Sequence, residues 1–149
     1  MIEDNAKAKS DALEIVREIT RRAGHEIRNA LSGVAVNVEV VKSRAVRGDR
    51  ADALAPFADR AALEVGVASA LTDGLLGLVR SVLTAQAEGT LFTLPPSGAG
   101  SRIELMVYGD QAGVILSGIS RLADVIGVTV EEHGERVILT VLPEGKSHS

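Results

Sequence analysis

From Asn5 to about Arg44 the chain carries no proline, and its only glycines there are Gly24 and Gly33. Apolar residues recur along it at Ala12, Val16, Ile19, Ala23, Ile27, Ala30, Val34, Val38, Val41 and Ala45, always in steps of four or three. That spacing keeps one face of a helix apolar turn after turn, and the alternation a strand requires is absent. Arg47-Gly48-Asp49-Arg50 breaks the pattern and reads as a turn. A second helical stripe follows from about Asp52 to Gln86: Leu54, Phe57, Ala61, Val65, Ala68, Leu71, Leu75, Val79 and Val82. Pro56 falls in its first turns, where a missing N–H is tolerated. The two runs predict an antiparallel helical hairpin. Two helices alone do not bury stripes this long, so the pattern predicts a homodimer, a four-helix bundle across a two-fold axis.

Beyond the hairpin the composition changes. Leu91 to Ser101, with Pro95-Pro96 and Gly98-Ala99-Gly100, reads as a linker or loop. Arg102 to Tyr108 alternates like a strand. Asp110 is placed to cap a helix running to about Ile126. Val128 to Glu131 and Arg136 to Leu142 read as strands joined at His133-Gly134, and the residues from Glu144 onward as a frayed end. The expected fold class is therefore α+β. A long antiparallel helical hairpin, residues 1–90, dimerises into a four-helix bundle, and a small β-α-β-β subdomain fills residues 91–149.

Composition limits the function classes. Hydrophobic residues make up 46% of the 149, which excludes a disordered chain, and aromatics only 2%, so the core is built of Ala, Val, Leu and Ile. The net charge of −4 argues against a nucleic-acid binder. With no cysteine there is no disulfide, thiol catalyst or cysteine zinc site. The N-terminus lacks an apolar signal core and no run approaches ~20 uninterrupted apolar residues, so no membrane span is expected and a cytoplasmic location is.

One residue of the first helix points to chemistry. On a wheel of about 100° per residue, His25 lies about 200° from both Ala23 and Ile27, away from the apolar stripe. Its neighbours on that outer face are Glu18, Arg21, Arg22, Arg28, Asn29 and Ser32. Imidazoles ordinarily titrate near ~6.5 and are usable nucleophiles near neutral pH. Arg21, Arg22 and Arg28 are cations that suit a phosphoryl group or an acidic partner. Glu26 is placed to orient the ring or accept its proton, and Asn29 to position a water. The other histidines attract no such reading. His133 sits in a turn and His148 at the chain end, and no His, Asp and Glu grouping has metal-ligand spacing.

The string His25-Glu26-Ile27-Arg28-Asn29-Ala30-Leu31 resembles the H-box of sensor histidine kinases, His-Glu-x-x-(Thr or Asn)-Pro-Leu. The resemblance covers roughly residues 5–88. It implies a dimerisation and histidine-phosphotransfer hairpin with His25 as phosphoacceptor. The family's proline is Ala30 here, so this helix should run straighter. The family's ATPase domain is far longer than this tail. Where its helix bears a Mg²⁺-binding Asn, the chain reads Ser120-Arg121-Leu122-Ala123-Asp124. No Asp-x-Gly-x-Gly loop follows, and Asp73-Gly74-Leu75-Leu76-Gly77 lies within the second helix. Gly98-Ala99-Gly100 is at most a weak phosphate nest.

The whole is similar to phosphorelay histidine phosphotransferases, which join an H-box dimer to a degenerate ATPase-like domain. That similarity implies phosphoryl relay between the aspartates of response-regulator receivers. It implies no cofactor of the chain's own and no ATP binding, with Mg²⁺ supplied by the receiver. Arg21, Arg22, Arg28, Leu31 and Ser32 would form the docking and phosphate-binding face. Two alternatives stand beside it: a receiver phosphatase using Glu26 and Asn29, and a non-catalytic dimeric scaffold or pseudokinase that sequesters a receiver.

Overall fold

A computed structural model describes residues 2–144. Helix α1 spans Ile2–Val46 and α2 spans Ala51–Glu88, packed against each other as an antiparallel hairpin. At ~1.5 Å per residue α1 is about 68 Å long. It runs unbroken through Ala30, which is buried where a proline would cost a backbone hydrogen bond and bend the axis. Gly48, with a left-handed φ of 85°, turns the chain at the tip. There Arg44 stacks over the Phe57 ring at 4.6 Å. Pro56 lies inside α2. Gly89 closes α2 in the left-handed conformation (φ 73°), its N–H donating back to the last turn.

The tail adds β1 (Phe92–Ser97), β2 (Gly100–Met106), α3 (Ala112–Ile126), β3 (Val128–His133) and β4 (Arg136–Val141). All strand pairs are antiparallel, in the order β1-β2-β4-β3. Leu91 to Ser101 is therefore not a linker: most of it is β1 and the turn into β2. Two prolines are tolerated because β1 is an edge strand, and its register shifts between Leu94 and Ser97. Gly98, at φ 61°, makes the β1–β2 turn, so the Gly98-Ala99-Gly100 run is a hairpin turn. Nor does Asp110 cap α3. The helix starts at Ala112 after Gln111, which makes no side-chain cap bond. β2 stops at Met106. Val107 N–H then donates to Glu135 O at 2.9 Å and the Tyr108 hydroxyl donates to Glu88. β3 extends through His133, so the turn is Gly134-Glu135.

One hydrophobic cluster joins α1, α2, α3 and the sheet across residue 90. Ile19, Leu78, Ile103, Leu105, Leu122, Leu139 and Val137 are fully buried. Each such side chain contributes about 1.5–3 kcal/mol on leaving water. The void between Ile19, Leu78, Ile119 and Leu139 is only about 10 Å³, so the packing is close. α3 lies against α2 at two glycines. A Cβ on Gly74 would sit 2.4 Å from the Gly118 carbonyl oxygen.

The tail thus covers the base of its own hairpin and leaves the tip uncovered. Of the α1 stripe, Ala12, Ile19, Ala23 and Ala30 are buried, whereas Val38 and Ala45 are exposed. Asn37 is buried near the tip, its amide donating to Gly33 O at 2.8 Å. Val36, Leu63, Val65 and Val67 are exposed as well. α2 is long and apolar enough to cross a membrane by length and composition alone, and its most apolar window is 22% buried. The buried fraction is the α2 surface packed on α1 and α3.

Candidate functional site

His25 stands on α1 where the stripe beneath it, Ala23 and Ile27, faces the core. Its side chain is 66% exposed, as the wheel predicts. The Asn29 amide nitrogen lies 3.3 Å from His25 Nδ1. Helical spacing makes this contact, since residues four apart share a face. Glu26 Oε1 is 4.0 Å from the same nitrogen, outside hydrogen-bond reach. Arg28, Leu31 and Ser32 are exposed around it, Leu31 by 53%.

The partner helix adds a second wall. The Glu64 side chain lies over Gly33, where a Cβ would come within 3.2 Å of its carboxyl carbon. Antiparallel helices advance equally from that contact, so Thr72 and Asp73 stand at about the height of His25. Both are exposed, as is Leu76 nearby.

Arg22 is a correction to the expected outer face. It is 8% exposed, and its guanidinium is spent on the fold. Nη1 donates to Ile126 O at 3.0 Å, Nη2 to Leu142 O at 2.7 Å and Nε to Glu18 Oε2 at 2.7 Å. The reason is tertiary: the ends of α3 and β4 dock on α1 at this turn and present carbonyls left free by the chain's regular structure. Arg21 stays half exposed but is doubly paired. It donates to both Glu18 oxygens, at 3.0 and 2.9 Å, and to Glu144 Oε2 at 2.5 Å. Those carboxylates raise the Arg21 pKa above its usual value. Glu18 is held down to about 2, first by the hydrogen bonds from Arg21 and then, against the cost of burial, by those from Arg22.

Glu144 has no signal in the sequence. Expected to begin a frayed end, it instead pairs with Arg21 and lies 3.7 Å from Arg22. No local pattern announces an ion pair between residues so far apart. His148 lies outside the described residues. His133 closes β3 beside Glu131, Nε2 to Oε2 3.5 Å. Among the described residues no group of three or more His, Cys, Asp or Glu is arranged to hold a metal ion.

Compared with known proteins, the chain matches no family model, no curated protein and no solved structure.

Proposed function

We propose that the chain is a histidine phosphotransfer protein that relays phosphoryl groups between receiver aspartates through His25, without an ATP-dependent kinase activity of its own. The observation that carries this reading is the exposed imidazole with an amide on Nδ1 at 3.3 Å, inside the H-box-like string of an unbroken helical hairpin. An Asn amide serves Nδ1 in either sense, as donor or, with its O and N exchanged, as acceptor of Nδ1–H. In the second arrangement Nε2 keeps its lone pair toward solvent. Nε2 then attacks the phosphorus of an aspartyl phosphate, the P–O bond breaks as the P–N bond forms, and the aspartate leaves as carboxylate. The reverse step charges a second receiver. The receiver brings the Mg²⁺, and Leu31 with the α2 residues at this height forms the docking face. This activity belongs in the cytoplasm, where receivers are.

The homodimer belongs to the same reading. Its support is the uncovered tip of the hairpin, where Val36, Leu63, Val65 and Val67 stay exposed and a groove of about 620 Å³ runs beside Val36, Val40 and Arg44. A second copy laid there completes a four-helix bundle.

The pairing of Arg21 and Arg22 favours a second reading, a non-catalytic scaffold, because it leaves Arg28 as the nearby arginine without a described ion pair. One experiment separates the two. The chain is incubated with a radiolabelled phospho-receiver and, separately, with labelled ATP. The proposal expects label on His25 from the receiver, lost in His25→Ala, and none from ATP. Label that survives His25→Ala overturns it, and a stable complex without label favours the scaffold.

A further inference from the structure

The cation next to His25 is already occupied by the other end of the described chain. Arg21 precedes His25 by four residues and shares its face. Two carboxylates hold its guanidinium, Glu18 from its own helix and Glu144 from beyond β4. The two arginines of this turn differ in kind. Arg22 is a buried anchor that fixes Ile126 and Leu142 onto α1, and Leu142 N–H is also tied to Gly127 O at 3.1 Å. The Arg21–Glu144 pair lies at the rim of that anchor, Glu144 Oε1 being 3.7 Å from Arg22 Nε, with side chains 51% and 57% exposed. An ion pair that open is weak, worth a factor of about five at most.

We propose that Glu144 is an internal occupant of Arg21 that an anion arriving at His25 must displace. The contact gates the site from the tail. While Glu144 is seated, Arg21 is withheld from the His25 face. A phosphoryl group, with ~1.5–2 negative charges and three acceptor oxygens, outcompetes one exposed carboxylate for the same guanidinium. Arg21 then swings to the phosphoryl and the Pro143–Glu144 end lifts, while the Arg22 anchor keeps the rest of the tail docked. The biological meaning rests on the proposed role of His25, but the test does not.

The test uses the whole chain and inorganic phosphate as probe, followed through the Arg21 Nε–H resonance. Glu144→Gln is expected to bind phosphate roughly three-fold tighter than the unmodified chain, the order of an exposed pair, with Glu144→Asp in between. Arg21→Gln, followed instead through the Asn29 side-chain amide beside His25, should abolish the response to phosphate. In the unmodified chain, saturating phosphate should move the Glu144 side-chain carboxyl carbon resonance toward that of a free carboxylate. Equal phosphate affinity with and without the Glu144 carboxylate overturns the proposal, as does absence of phosphate binding at Arg21 in every variant. The titration is repeated in His25→Ala, where the Glu144 effect should persist. Loss of receiver labelling alone counts against the phosphotransfer reading, and loss of the Glu144 effect alone counts against the gate.

Discussion

The Arg22 guanidinium on α1 donates to the Ile126 carbonyl oxygen at 3.0 Å, joining the turn before His25 to the last residue of α3. With its bonds to Leu142 O and Glu18, this one side chain fixes where the tail sits on the hairpin. Arg22→Ala leaves two carbonyls without their charged donor and should lower the unfolding free energy by about 2–3 kcal/mol. Arg22→Lys should recover only part of it, since an ammonium does not span carbonyls as a planar fork does. Urea unfolding followed by circular dichroism measures both. A loss no greater than that of an exposed arginine such as Arg17 would show that the tail does not depend on this contact.

The α2–α3 contact makes a graded prediction. Gly74→Ala puts a methyl 2.4 Å from the Gly118 carbonyl oxygen and 3.1 Å from Leu122 Cβ, so the helices must part. Such overpacking costs about 1–3 kcal/mol. At Gly66 nothing lies within 4 Å of an added Cβ. Gly66→Ala should therefore stabilise the chain by roughly 0.5–1 kcal/mol through helix propensity. Thermal melts of the two variants should move in opposite directions, and a shared direction refutes the packing described.

Acid should loosen the same region. The folded-state pKa of Glu18 is about 2 against an ordinary 4.5, chiefly because Arg21 hydrogen-bonds its carboxylate. A depressed carboxylate stabilises the fold above its unfolded pKa, and the contribution is lost as pH falls from 4.5 toward 2. Glu18→Gln should thus be less stable than the unmodified chain at pH 6, with the difference shrinking by pH 3. Denaturant midpoints across that range test the sign, and a difference that grows on acidification would contradict it.

The uncovered tip tests the proposed dimer. Leu63 is 68% exposed in the single chain, so Leu63→Lys should change monomer stability by no more than about 0.5 kcal/mol. In a four-helix dimer the same charge is buried. Light scattering behind gel filtration should then show the unmodified chain at twice the mass of Leu63→Lys. Equal masses for the two would place any association elsewhere.

The hairpin and the outward position of His25 are legible in the sequence because a helix is a local pattern. Steps of three and four fix which side chains share a face, and they put His25 with Asn29 and opposite Ala23. β1 is hidden because Pro95 and Pro96 resemble loop residues, and only an edge position, which is a property of the sheet, makes them tolerable in a strand. Arg22 escapes the helical wheel for a related reason. A wheel says which way a side chain leaves the helix, but not whether another part of the chain meets it there. By itself the sequence determined the two long helices, the outward imidazole, the alternation of β2 and the presence of β4. Only the tertiary structure decided that the tail lies on its own hairpin, that Arg22 is buried under the ends of α3 and β4, and that Glu144 reaches Arg21. The bonds that hold Arg21 and Arg22 to the tail join residues more than a hundred positions apart, set by how a packed core closes and not by any local spacing.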